Sequence, residues 1–431
     1  MKYFTLCLFL VLMSCIKVGT HDLSLHELDQ SVAVKQEVRQ RAGYWEAMQN
    51  LDFYDSSTYA DSSEERQFSA ALQLMLSGDY DSAETRLEHL VETSSDSLFL
   101  KHAGSLLSGI YMLSYNWEDM IKLDHLLPGG LDDMNSISMV KAWATQPPEK
   151  IHYRLEPLIV PSKKSIAGTP KISVWVNGVE QTFWIDTGAQ FTVLSSDIAE
   201  ICNVKPLVEK TSTVGTATDK NIELWPGMIK ELKIGDLVFE NHPVFIIDQE
   251  DLEFRILKII KILKIDGILG WNAIQKLRLE INNVENSIGI QKPEKRDWGM
   301  RNFHYLTQPF VTVQDTMGVP LEFFLDTGAN KTSLYAPALA YFDTTHAQRS
   351  TAFVGGAGGS QKVKQLQLAK QSLVFGKTRI DFPEIQGASP LGDSEDDFML
   401  FDGIIGSDIA SNAILTLDFQ NGWCELKRVA E

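Results

Sequence analysis

The phrase Asp-Thr-Gly-Ala occurs twice in this chain, each time closing an apolar run. The copies are Phe183-Trp-Ile-Asp-Thr-Gly-Ala-Gln190 and Phe323-Phe-Leu-Asp-Thr-Gly-Ala-Asn330. A single Asp-x-Gly is ordinary turn chemistry. At average residue usage, however, a given tripeptide is expected less than about 0.1 times in a chain of this length. Two copies with matched flanks therefore constrain the fold more than any other feature. Each reads as a buried strand that delivers an aspartate into a tight turn.

The surroundings repeat too. Lys171-Ile-Ser-Val-Trp-Val-Asn-Gly-Val-Glu180 reads as a strand and an Asn-Gly hairpin turn leading to Asp186, and Phe310-Val-Thr-Val-Gln-Asp-Thr-Met-Gly-Val319 holds the same place before Asp326. Glycine-bearing segments follow at 213–219 and 353–360. Each half then closes on a matched phrase, Asp266-Gly-Ile-Leu-Gly270 and Asp402-Gly-Ile-Ile-Gly406, and a final strand. Asp186 and Gly270 lie 84 positions apart, Asp326 and Gly406 80, and the two aspartates 140. Residues 171–292 and 309–431 thus read as two copies of one β unit joined by 293–308. A pseudo-twofold relation between them would bring both aspartates to one interface, as in a symmetric dimer.

At 431 residues the chain has room for two or three domains, and its 44% hydrophobic and 22% charged residues are ordinary for globular proteins. A formal net charge of −18 argues against nucleic acid or an anionic membrane surface as the main partner. The nine histidines and four cysteines form no metal-ligand pair, and no phosphate-cradling loop is present, so neither metal nor cofactor is expected.

Residues 23–144 have helical periodicity, and residues 15–150 are expected to form a helical domain. Leu76-Ser-Gly-Asp-Tyr80 recurs loosely 37 positions on as Leu113-Ser-Tyr-Asn-Trp117. This resembles tetratricopeptide helix pairs and implies a docking surface for a protein partner; a plain helical bundle is the alternative. Pro147-Pro148 ends the pattern, and residues 151–170 read as a linker.

At the start, Met1-Lys2 precedes an apolar run over 3–13 that is too short to span a membrane. Leu12-Met13-Ser14-Cys15 resembles a bacterial lipobox. The resemblance implies that residues 1–14 are a signal peptide and that Cys15 carries lipid. The chain would then be exported to the bacterial cell envelope, facing the periplasm and held to the membrane by that lipid alone. A plain signal peptide cut nearby is the alternative.

The duplicated unit resembles the aspartic peptidases of the pepsin and retropepsin type. The resemblance implies a multidomain α plus all-β protein, with a helical N-terminal domain and a bilobal β-barrel peptidase. It implies catalytic roles for Asp186 and Asp326, turn-supporting roles for Thr187, Gly188, Thr327 and Gly328, and bracing by Ile268, Leu269, Gly270, Ile404, Ile405 and Gly406. Thr187 and Thr327 would hydrogen-bond across the interface. Gly215, Thr216, Gly355 and Gly356 are flap candidates, although neither segment has the tyrosine of pepsin-like flaps. Ala189 and Ala329 stand where pepsin-like members carry a hydroxyl, which favours two fused retropepsin-like subunits and a less acidic optimum than pepsin's. The chemistry is that of two nearby carboxyls sharing one proton and activating water to hydrolyse a peptide or protein substrate. A lipoprotein scaffold or peptide-binding protein with a degenerate peptidase domain is the second reading.

One stretch has no counterpart in the other half. Residues 251–264 carry lysines at 258, 261 and 264, a helical spacing. They read as a packed helix or strand, or as a lid or membrane-facing helix. Residues 389–397, in the corresponding place, are acidic and loop-like.

Overall fold

The computed structural model describes residues 23–35, 43–131, 134–165, 168–209, 212–215, 221–256, 260–299, 301–356, 359–387 and 399–429. The signal-like segment, Cys15, Thr216 and residues 389–397 lie outside them.

The helical region is built from capped antiparallel pairs. Ser62 caps the helix Ser63–Ser77 by accepting from the Glu65 N–H at 3.0 Å, while the Glu65 carboxylate accepts from the Ser62 N–H at 2.8 Å. That helix ends at Gly78, in the left-handed conformation with φ 84°, and Asp79 caps the next, Tyr80–Thr93. The pair Ser97–Ser114 and Trp117–Leu126 turns in the same way at Tyr115, with φ 58°. Gly78 and Tyr115 occupy equivalent places in the recurring phrase. Phe68, Leu72, Met75, Leu87, Phe99 and Leu106 line one buried stripe between the helices.

Beyond residue 150 the chain is β. In the first lobe the strand Val179–Ile185 runs antiparallel to Pro170–Val176 and parallel to Gly267–Leu269, with Ile185 opposite Leu269. In the second, Pro320–Leu325 runs antiparallel to Pro309–Gln314 and parallel to Gly403–Ile405, with Leu325 opposite Ile405. The strands Arg278–Asn282 and Ala413–Asp418, one from each lobe, pair antiparallel with Glu280 opposite Thr416. This pairing relates the lobes by an approximate twofold. Ser287–Gln291 and Trp423–Arg428 flank it, so one sheet spans both lobes.

Three segments depart from the sequence expectations, among them the joint 293–308, which ends in the strand Phe303–Tyr305 paired with Pro309–Gln314. The expected linker contributes strands Lys150–His152 and Leu158–Lys164, the latter pairing with Ser287–Gln291. Ser24–Glu27, expected within the helical domain, is a strand on the edge of the second lobe, paired with Thr378–Gly387 and burying Leu25. The Lys-spaced stretch, read from sequence as helix or strand, takes the strand form, a hairpin of Glu253–Ile256 with Ile260–Lys264 lying beside the second-lobe strand Gly359–Phe375. Its run of isoleucines suits a pleated surface better than a helix. No helix among the described residues is long and apolar enough to cross a membrane.

The helical region is docked on both lobes. Trp143 stacks on Phe191 at 5.1 Å, and its Nε1–H donates to Gly227 O at 3.0 Å. The Tyr115 hydroxyl donates to Asn272 O, and the Gln275 amide donates to Leu113 O. On the second-lobe side, Tyr80 donates to Tyr305 O and the His304 Nδ1–H to Leu76 O. Glu149 is buried between His242 and Lys276, hydrogen-bonded to the His242 ring and ion-paired with Lys276. Breaking such a pair strands a buried charge, so the joint is fixed. Trp143→Ala should destabilise the chain by roughly 3–5 kcal/mol, the usual cost of truncating a buried large aromatic. Chemical denaturation monitored by fluorescence and circular dichroism would measure it, and a change below about 1 kcal/mol would contradict this docking.

Candidate active site

Each aspartate sits at the end of a strand whose neighbour fixes the turn. The Asp186 N–H donates to Leu269 O at 3.2 Å and the Asp326 N–H to Ile405 O at 3.0 Å. One step on, the Trp271 N–H donates to Ala189 O and the Ser407 N–H to Ala329 O. Both brace segments, Ile268-Leu269-Gly270 and Ile404-Ile405-Gly406, are buried under the turns. A Cβ on Gly270 would lie 2.2 Å from Phe191 O, and one on Gly406 2.6 Å from the Lys331 carbonyl carbon, so each brace glycine lets two backbones touch.

The turns are tied to each other by a reciprocal exchange. The Thr187 N–H donates to Thr327 Oγ1 at 3.1 Å, and the Thr327 N–H to Thr187 Oγ1 at 3.0 Å. Each hydroxyl in turn donates across the interface, Thr187 to Leu325 O at 2.6 Å and Thr327 to Ile185 O at 2.9 Å. All four bonds are buried, where breaking one would leave polar groups unsatisfied at about 1–3 kcal/mol each.

This exchange brings the carboxyls face to face. Asp186 and Asp326 are both 0% exposed and lie within hydrogen-bonding reach of one another. A Cβ on Gly328 would stand 2.4 Å from Asp186 Oδ2, so the second turn approaches the first carboxyl as closely as only glycine permits. The Gly188 N–H donates to Asp186 Oδ1 at 2.8 Å; the Gly328 and Ala329 N–H groups donate to Asp326 Oδ1 at 2.9 and 3.0 Å. The two Oδ2 atoms receive no N–H or O–H from the described residues. Two carboxyl groups can bond to each other only through a proton, so the pair is a proton-sharing site.

Burial drives the electrostatics. It pushes Asp186 up from 3.8 to about 6 against the opposing pull of the Gly188 N–H. Asp326 is raised well above its usual range, by burial first and by the charge of Asp186 second. The pair therefore keeps one proton into the neutral range.

The flap candidates fall on matched hairpins. Gly215 lies at the end of Ser212–Gly215, which pairs with Asn221–Ile234, and Gly355 and Gly356 end Gln348–Gly356, which pairs with Gly359–Phe375. They thus sit toward the tips of two hairpins, one per lobe. Ile222 and Leu224 of the first hairpin, the Asp-flanking Trp184, Ile268, Phe324 and Ile404, and the helical core form one continuous buried cluster. The helix Met134–Ala144 packs on both strands of the first hairpin.

A second duplicated lock was not anticipated. The Thr192 N–H donates to Asn272 Oδ1 at 2.8 Å, and the Thr332 N–H to Asp408 Oδ1 at 2.9 Å. Each threonine lies six residues after its aspartate and each partner two after its brace glycine, a matched spacing visible in the repeat. In the first lobe Thr192 Oγ1 also meets His242 Nε2 at 2.8 Å, linking the lock to Glu149 and the helical region.

Residues 172–273 match the family model described as aspartyl protease. Among solved structures the chain is similar to a retropepsin-like aspartic protease from Rickettsia conorii, at 20% identity and a TM-score of 0.24, over 34% of this chain and 94% of that one. It is also similar to the aspartic proteinase from Irpex lacteus, at 12% identity and a TM-score of 0.39, over 64% of this chain and 98% of that one. No curated protein matches the sequence.

The raised carboxyls make stability pH-dependent with a definite sign. A carboxyl that holds its proton more tightly folded than unfolded favours the fold most below its unfolded pKa. That advantage is lost as pH rises from about 3.8 through about 6. Asp326→Asn should therefore raise the melting temperature relative to wild type above about pH 6, with the gain shrinking toward pH 4. Thermal scans across pH check this; a gain that grows on acidification would contradict it.

Proposed function

We propose that the chain is an aspartic endopeptidase that hydrolyses peptide bonds with a water activated between Asp186 and Asp326. The observation that carries the reading is the threonine exchange that holds two buried carboxyls against each other, an arrangement in which they would share one proton. The ionised carboxyl takes a proton from water as it attacks the scissile carbonyl. The protonated carboxyl donates to the carbonyl oxygen, and a proton passes to the amine as the C–N bond breaks. The roles then reverse, so the pair ends the cycle as it began. Trp184, Ile268, Phe324 and Ile404 beside the dyad favour apolar side chains flanking the cleaved bond. Entry of an extended peptide to the buried dyad requires the hairpins that carry Gly215, Gly355 and Gly356 to part, as lids do in other enzymes.

Asp186→Asn and Asp326→Asn should each lower kcat/KM on a cleaved peptide by roughly 10²–10⁴-fold, the usual contribution of general acid–base catalysis. Retained activity in either variant would overturn the assignment. A full chain that cleaves nothing in a broad peptide library would favour the scaffold reading instead.

The reading extends to location and partners. The lipobox-like Leu12-Met13-Ser14-Cys15 supports export and a lipid anchor on Cys15 in a bacterial cell envelope, facing the periplasm. The tetratricopeptide-like helix pairs support a docking role toward a protein substrate or partner. Cys15→Ala should move the chain from the membrane to the soluble fraction; unchanged fractionation would contradict the anchor.

A further inference from the structure

Away from the dyad, the segment joining the lobes borders a cavity of about 600 Å³. Five cations line it, Lys276, Lys292, Lys295, Arg296 and Arg301, against one acidic residue, Glu294. This concentration runs against the balance of the whole chain, which has 39 Lys and Arg to 57 Asp and Glu.

The wall of the cavity is pinned. The Arg296 N–H donates to Asn421 Oδ1 at 3.0 Å, and the Asn421 amide donates to Glu294 O at 2.7 Å and to the Asp418 carboxylate. Aromatic rings help to place the cations: Lys292 lies 5.5 Å from the Tyr153 ring and Arg296 5.7 Å from that of Trp298, which stacks on Trp423. Arg301 is half-buried between the turns at Gly78 and Gly422, and its Nε is buried with no acceptor among the described residues.

Two of the five charges are compensated, Lys276 by the buried Glu149 and Arg296 by Glu294 at 3.6 Å. Lys292 and Lys295 remain, with Arg301 offset in part by the charge of Asp418, an excess that a compact anion with two or more charges would balance. Guanidinium forks match phosphoryl oxygens, and ammonium groups serve them as point charges. The volume falls in the range of small-molecule sites.

We propose that this cavity binds a small anion bearing phosphoryl groups, either free or as a lipid headgroup, where the helical region, the joint and both lobes meet. Such a ligand would bridge Arg301 at the Gly78 turn to the joint lysines and so clamp the helical region to the β portion. The site is independent of the dyad, and its test does not depend on peptidase activity.

Inorganic pyrophosphate titrated into the full chain is the direct probe, by calorimetry and thermal shift. Binding should raise the melting temperature and weaken as ionic strength rises. The surface variant Lys292→Gln/Lys295→Gln, which leaves the half-buried Arg301 and the fold in place, should weaken it about tenfold or more. Co-sedimentation with phosphatidylglycerol vesicles separates the sources. Vesicle binding that pyrophosphate displaces and the double variant loses identifies a headgroup site; pyrophosphate binding without vesicle binding identifies a free phosphoryl ligand. No heat and no thermal shift at millimolar pyrophosphate would overturn the proposal. So would an affinity that the double variant leaves unchanged.

Discussion

The structure of the β portion depends on the exchange between Thr187 and Thr327. Each threonine gives its N–H to the other's hydroxyl and passes its own hydroxyl proton to a carbonyl of the opposite strand. Because every partner is buried, the two turns have one register in which all polar groups are satisfied. That register determines where Asp186 and Asp326 stand. Their mutual approach is otherwise unfavourable: desolvation opposes ionisation of either, and like charge opposes ionisation of both. A shared proton removes most of that conflict, and the strand, brace and threonine locks hold it in place.

Around this centre the lobes are similar but not equivalent. The first lobe carries the extra hairpin at 253–264, the Thr192–His242–Glu149 chain of contacts, and most of the helical region's seat through Trp143 and Tyr115. The second lobe takes the edge strand Ser24–Glu27 and the contacts of Tyr80 and Leu76. The helical region thus grips both sides, and its core is continuous with the apolar residues that flank the aspartates. Shifts in the helices are therefore coupled by packing to the ground beside the dyad.

Much of the site was legible because duplication makes local order repeat. Strand, Asp-Thr-Gly turn and brace occur in the same sequence in both halves, and parallel pairing of Val179–Ile185 with Gly267–Leu269 has its twin in Pro320–Leu325 with Gly403–Ile405. The locks at Thr192 and Thr332 were equally repeated but carry no rare residue type to draw attention. Other features are set by long-range contact. Ser24–Glu27 becomes a strand only because a sheet edge some 350 residues away receives it. Residues 251–264 space their lysines like a helix, yet β-branched content and the neighbouring hairpin favour a strand pair. Tyr115 takes the left-handed place that Gly78 fills in the preceding pair, which hides the repeat at its most diagnostic position. The basic cavity draws on Lys276, the joint and the turn at Gln420 and Asn421, segments that only the fold assembles.

The central claim is that Asp186 and Asp326 titrate as one site. Carbon-13 NMR titration of labelled aspartate carboxyls in the full chain addresses it, with Asp186→Asn and Asp326→Asn chains assigning the pair. The account predicts a coupled step near about 6, with one proton retained beyond it, and loss of that step in either variant. Two independent carboxyls titrating near the ordinary value of about 3.9 would contradict it.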